Sequence, residues 1–270
     1  IMSLLRLKHA DTKRILTLLG VLILLALAAI LLSSMWALGV ATVLAFTGTA
    51  FLIAHYHRAT EEELILQAQD LQDLQFIQSA LTLPRPLPYF TRWSSSPALA
   101  ARLIGIVHRY RPTQIVELGS GVSTVVMAAA VRNAGSGHVT SLDHDPVYAA
   151  KTRHELEEQG LSQWATVIDA PLVTVETARG PAPWYDVSGI DGLQQIDLLI
   201  VDGPPRKTHK DARLPAFEIL GDRLTPGAHV VLDDTARRDE AGSVAAWSNA
   251  AETVESVPSR KGICVVRMPG

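Results

Sequence analysis

The chain has 270 residues, with 24 Lys and Arg against 27 Asp and Glu, for a net charge of −3. That balance argues against a nucleic-acid partner, which calls for a basic footprint. The single cysteine, Cys264, excludes an internal disulfide and any multi-cysteine zinc site. Mean hydropathy is +0.19, and the positive value comes largely from the N-terminal region. Ile1 ahead of Met2 is expected to be a cloning remnant outside the fold.

Residues 15–54 contain no charge and no proline. One helix of that length would measure about 60 Å, roughly twice the hydrocarbon thickness of a bilayer. Two spans, at 15–32 and 36–56 with a turn near Ser33-Ser34, resolve the mismatch and make residues 1–58 a transmembrane hairpin. A cleaved signal peptide is the competing reading, but its apolar core runs only about 7–15 residues. Arg6, Lys8, Lys13 and Arg14 flank the first span and Arg58 the second. The positive-inside rule then places both termini in the cytoplasm, with the chain in the inner or plasma membrane. Ala37, Ala41, Ala45 and Thr49 recur every four residues, a small-residue stripe that lets membrane helices approach within the hairpin or between chains.

Residues 59–88 read as a connector. Leu64, Ala68, Leu71, Leu74 and Leu81 share one helical face, interrupted by Gln78. This amphipathic helix either forms a short coiled coil, giving a homo-oligomer, or packs on the domain that follows. Pro84, Pro86 and Pro88 end it in a stiff spacer, and the domain boundary is expected there.

From residue 89 onward, strands and helices alternate. Ser94-Ser95-Ser96-Pro97 opens a helix that Arg111-Pro112 stops. Gln114 to Leu118 is a buried strand, and Gly119-Ser120-Gly121 turns the chain into an apolar helix. Strands are expected at 138–142, 165–168, 196–201, 228–232, 253–257 and 262–268. Helices are expected at 146–159, 211–220 and 242–250. The alternation predicts an α/β domain with a doubly wound, mostly parallel seven-stranded sheet.

In such sheets a ligand lies beyond the carboxyl ends of the strands. Acids gather at that edge: Glu117, Asp143, Asp169, Asp202 and the pair Asp233-Asp234. One acid after a strand is an ordinary helix cap, whereas several converging beside a glycine turn suggest a site. Asp143 stands where an acid grips ribose hydroxyls. Thr124 replaces the third glycine of a dinucleotide fingerprint, and a carboxylate rim suits a cationic ligand better than a pyrophosphate.

Residues 89–270 resemble a class I S-adenosylmethionine-dependent methyltransferase, and within that class the small bacterial family-24 type. The motifs are Val116-Glu117-Leu118-Gly119-Ser120-Gly121, Ser141-Leu142-Asp143-His144-Asp145, Ile196 to Gly203, and Leu224 to Asp234. The resemblance implies that Gly119, Ser120 and Gly121 pass under the methionine part of S-adenosyl-L-methionine. Ser123 or Thr124 would bond its carboxylate, Asp143 with neighbouring His144 the ribose, and Asp169 and Ala170 the adenine. Glu117 would order the loop. Metal-dependent O-methyltransferases of the catechol type place acids around Mg²⁺ where this chain has Asp202, Asp233 and Asp234. Asp234 stands where that type has Asn. The alternative is that Asp202 positions the substrate and Asp233-Asp234 cap a helix, with no Mg²⁺ or other divalent cation.

The loop Gly203 to Lys210 follows Asp202, so Lys207, His209 or Lys210 is a candidate base or anion contact, with a solvated turn as the alternative. Trp184 and Tyr185 lie in the insert after the third strand, as acceptor lid or as packing. The expected function is a membrane-anchored methyltransferase acting on the oxygen of a small or lipid-linked acceptor, with Asp202, Lys207 and His209 as catalytic candidates. The rival is a cofactor-binding membrane scaffold without turnover.

Overall fold

The computed structural model describes residues 9–32, 35–90, 95–248, 250–257 and 259–270. Arg6, Lys8, the expected turn at Ser33-Ser34 and Ser94 lie outside the described residues. The chain divides into two compact units, residues 1–67 and 68–270.

The first unit holds α1 (His9–Leu32) and most of α2 (Met35–Ala80). The two helices pack side by side. The Leu22 methyls lie 3.5 Å from where a Cβ on Gly48 would be, and Leu25, Ala28 and Ala29 face Trp36, Val40, Ala41 and Leu44 across an apolar cleft of about 300 Å³. Of the expected small-residue stripe, Ala41 lies on this face, while Ala45 and Thr49 are exposed. Close approach relies instead on Ala41 and Gly48, two turns apart. Among the described residues, α2 is the one helix long and apolar enough to cross a membrane, and α1 carries a shorter apolar run, Arg14–Ala29.

The connector is not a separate helix. Nothing between Gly48 and Pro84 breaks helical geometry, so α2 runs on for 46 residues to Ala80. Its last turns belong to the second unit, where Ile77 and Leu81 are buried in the core. Leu64 and Leu71, two members of the expected face, are exposed instead. The proline segment is fastened to the same unit, not free as a spacer. Arg85 exchanges backbone hydrogen bonds with the Gln159 amide, and Leu83, Leu87 and Phe90 pack against the core.

The second unit is built on a seven-stranded sheet in the order β3-β2-β1-β6-β7-β9-β8. The strands are β1 (Gln114–Leu118), β2 (His138–Asp143), β3 (Ala165–Asp169), β6 (Ile196–Val201), β7 (Leu224–Asp233), β8 (Glu252–Val257) and β9 (Ile263–Arg267). The first five are parallel, and β9 runs antiparallel to both β7 and β8. Alternate residues on each strand feed opposite cores, as the pleat requires. Ile115, Val139, Leu198 and Ile200 face α3 (Pro97–Tyr110), α4 (Val122–Ala134) and α5 (Pro146–Glu158). Val116, Leu118, Leu199 and Val201 face α6 (Pro215–Leu220), α7 (Arg238–Trp247) and Trp184. Ser96 caps α3 by accepting from Leu99 N at 3.1 Å, and Pro97 opens the helix.

The insert after β3 is a second sheet that the sequence pattern did not reveal. β4 (Leu172–Thr177) and β5 (Gly180–Tyr185) pair as an antiparallel hairpin. Two prolines in β5 hid the strand, yet an edge strand tolerates them. From β1 the chain first builds outward through β2 and β3, then returns to place β6 on the other flank of β1. That reversal leaves a crevice at the carboxyl ends of β1 and β6, the usual ligand position in an open α/β sheet.

Candidate active site

The floor of the crevice is the turn after β1. Gly119 has φ 99°, a left-handed conformation that disfavours any side chain. Its amide donates to Leu142 O at 2.8 Å, tying the turn to β2. Beneath it Glu117 is fully buried. Thr124 donates to Glu117 Oε2 at 2.6 Å and accepts from Gly121 N at 3.0 Å, while Ser141 donates to the same carboxylate oxygen. Burial pushes Glu117 up to about 7, against the downward pull of hydroxyls on Ser123, Ser141 and Thr124. Glu117 therefore orders the loop from below. The Ser123 and Thr124 side chains are buried and turned toward it.

Asp143 ends β2 at the crevice wall. Its Oδ2 accepts from Ser120 N at 2.9 Å and Ser120 Oγ at 2.6 Å, and its Oδ1 from Asp145 N at 3.0 Å. A carboxylate offers about four acceptor positions, so one remains for a ligand hydroxyl. His144 is partly exposed beside it. Asp169 is on the rim, paired with Arg153 at 3.1 Å. The Ala170 side chain is buried in the core, and its amide is spent on Asp143 O at 2.7 Å.

On the other flank, Asp202, Asp233 and Asp234 come together, with one oxygen of each within 4.8 Å of the others. The expected divalent cation does not fit among them, because Arg213 is already there. Its guanidinium donates to Asp202 Oδ1 at 3.0 Å, Asp202 O at 2.8 Å, Asp233 O at 2.8 Å and Asp234 Oδ2 at 2.8 Å. Arg237 adds a second cation, 2.8 Å from Asp234. A divalent ion among these acids would stand against the like charge of Arg213, and two of the acids already have that charge and Arg237 as partners. Burial and its acidic neighbours push Asp233 up to about 8, and neither of its carboxylate oxygens has a hydrogen-bond partner. Burial also raises Asp202, against the pull of Arg213.

Lys207, His209 and Lys210 are exposed in the loop after β6. The loop instead sends Arg213 inward and fixes Arg206 to Asp239 at 3.0 Å. Sequence reading missed Arg213. Its signal was weak, a single basic residue beside Leu214-Pro215 at a helix start.

Tyr185 closes the crevice from the β5 side. It is fully buried, its hydroxyl lies against the Gly203 backbone without a hydrogen-bond partner, and its ring meets His144 edge-on at 6.2 Å. Burial, reinforced by the charge on Asp143, raises its pKa well above the usual phenol range. Tyr185 Oη, His144 Nδ1 and both Asp233 carboxylate oxygens are buried without a hydrogen-bond partner. A polar ligand there would satisfy groups the protein leaves unpaired.

Residues 116–235 match the model of a family described as a methyltransferase domain. The second unit carries this methyltransferase-domain match. Its fold is similar to that of an S-adenosylhomocysteine-bound methyltransferase from Podospora anserina, at 14% identity and a TM-score of 0.55, over 79% of this chain and 96% of that one. It is also similar to a methyltransferase from Geobacter sulfurreducens, at 17% identity and a TM-score of 0.51, over 66% and 81% of the two chains. A candidate O-methyltransferase from Klebsiella pneumoniae shares the fold at 15% identity and a TM-score of 0.51, over 78% and 97%. No curated protein matches the sequence. In this unit the glycine turn and Asp143 lie at the ends of β1 and β2, and Asp202 with Arg213 beyond the end of β6.

Proposed function

We propose that the chain is a membrane-anchored O-methyltransferase whose domain faces the cytoplasm and whose acceptor is small or lipid-linked. When bound, S-adenosyl-L-methionine supplies a methyl carbon made electrophilic by its sulfonium. Gly119, Ser120 and Gly121 would hold the methionine part, and the remaining acceptor position on Asp143 a ribose hydroxyl, with His144, Asp169 and Ala170 around the nucleoside. The observation that carries the oxygen acceptor is Asp202, a carboxylate at the end of β6 kept basic by burial and held by Arg213. Asp202 takes the proton from the acceptor hydroxyl. The freed oxygen pair forms the new C–O bond, the C–S bond breaks, and its electrons remain on sulfur as S-adenosylhomocysteine leaves.

Membrane anchoring is supported by the apolar surface of α2 and by its threonines. Thr42, Thr47 and Thr49 donate to carbonyls one turn back at 2.8–2.9 Å, so their hydroxyls make no demand on a lipid environment. Exposed Arg14 and Arg58 flank the apolar stretch and favour a cytoplasmic domain. Exposed Leu64, Ile65, Leu71 and Phe76 on α2 offer a surface through which copies would pair.

The test is calorimetric titration of the full chain in micelles with S-adenosyl-L-methionine, then transfer of labelled methyl groups to a membrane extract. Mass spectrometry then locates the methyl. Micromolar binding with methyl ether or ester products supports the reading. Binding without turnover returns the scaffold, absence of binding removes the enzyme, and methylated nitrogen removes the oxygen assignment.

A further inference from the structure

We propose that Arg213 is the resident cation of this active site, holding the carboxylates that a divalent ion would otherwise organise, so that transfer proceeds without metal. The proposal rests on the methyltransferase reading and goes beyond it, since it assigns a positioning residue to the reaction.

The geometry carries it. One side chain, with only 5% of its surface exposed, contacts all three members of the acidic cluster. Nη2 alone reaches Asp202 Oδ1, Asp202 O and Asp234 Oδ2, and Nη1 reaches the carbonyl of Asp233. These contacts join the end of β6 to the end of β7, the two strands that an ion would bridge. A planar guanidinium supplies several fixed donors in one plane, which lysine does not. Asp234 is held at φ 62°, a left-handed conformation unusual for a side-chain-bearing residue. In that conformation its carboxylate meets both Arg213 and Arg237. Asp202 and Asp234 are thus each paired with positive charge belonging to the chain itself, and Arg213 reaches Asp233 through its carbonyl. The role left to Arg213 is to fix Asp202 in direction, so that its other oxygen meets the acceptor, and to offset charge between Asp202 and Asp234.

Mn²⁺ binding provides a readout separate from turnover. Full-length protein in micelles is titrated with Mn²⁺ by electron paramagnetic resonance, and methyl transfer to membrane extract is measured with and without EDTA. Wild type is expected to show no saturable Mn²⁺ site and no loss of activity in EDTA. Arg213→Met vacates the space between the acids, and is expected to bind Mn²⁺ at least ~100-fold more tightly than wild type. Asp234→Asn on top should remove that gain. Arg213→Met should still bind S-adenosyl-L-methionine but lower kcat far more than it raises KM, whereas Arg213→Lys should restore part of the rate without gaining Mn²⁺. Saturable Mn²⁺ binding by wild type that Asp234→Asn abolishes, or EDTA-sensitive turnover restored by Mg²⁺, would overturn the proposal. So would a folded Arg213→Met that takes up no Mn²⁺. Should Arg213→Met fail to fold, the wild-type Mn²⁺ and EDTA arms decide. Failure of wild type to bind S-adenosyl-L-methionine would instead remove the methyltransferase reading, and the Mn²⁺ result would stand apart from it.

Discussion

Replacing Glu117 by Gln tests how the glycine turn is held. The side chain is fully buried, its Oε2 accepts from Thr124 and Ser141, and burial lifts it from 4.5 to about 7. An acid whose folded pKa lies above its unfolded value binds its proton more tightly in the native state. Its stabilising effect is complete below pH ~4.5, drains away as pH rises to ~7, and is constant above that. The lift of about 2.5 units corresponds to roughly 3 kcal/mol lost across the window. Gln copies the protonated acid, accepts the same two hydroxyls and never ionises. The difference in unfolding free energy between variant and wild type should therefore shift by about 3 kcal/mol in favour of Gln between pH 4.5 and pH 8. In a domain of this size that is a shift of roughly 6–12 °C in melting temperature. Asp233, raised to about 8, pulls in the same direction but equally in both proteins, and cancels. Urea unfolding followed by tryptophan fluorescence at five pH values measures the shift. Parallel curves for the two proteins would show that Glu117 is not protonated in the folded state, and the reasoning would fail.

Asp143→Ala should leave the fold intact by circular dichroism and weaken S-adenosyl-L-methionine by ~100-fold in calorimetry, since it removes both the proposed ribose acceptor and the anchor of Ser120. Unchanged affinity would remove that assignment. Lys207→Ala and His209→Ala should each alter methyl transfer less than ~2-fold, because both side chains lie in solvent, whereas Asp202→Asn should slow it by ~100-fold or more. A large effect of either loop residue would bring the loop back into the chemistry. Leu22→Cys with Gly48→Cys, in a Cys264→Ser background, should crosslink within one chain when treated with a short bis-maleimide. Crosslinks found only between chains would show that α1 and α2 pair across copies.

The sheet was readable because its strands are short apolar runs ended by acids or glycines, and the acids marked the ligand edge. Asp202, Asp233 and Asp234 were visible as a cluster for the same reason. Their internal partner was not. Arg213 lies in a loop of basic residues, and nothing in the sequence separates the one that turns inward from Lys207 and His209, which do not. The β4–β5 hairpin was hidden by Pro181 and Pro183, residues that argue against a strand unless it is an edge. Ser123 and Thr124 were legible as part of the turn, but their direction was set by Glu117 three-dimensionally, through a hydrogen-bond network spanning β1, β2 and α4. The long run of α2 was obscured by its own composition, since a change from apolar to polar residues was read as a change of element.

Tyr185, the last residue of β5, sets its buried ring against the backbone of Gly203, which directly follows Asp202. A side chain at position 203 would collide with that phenol. The β4–β5 hairpin and the loop that carries Asp202 are therefore keyed to one another, and a substitution in either is felt by the other.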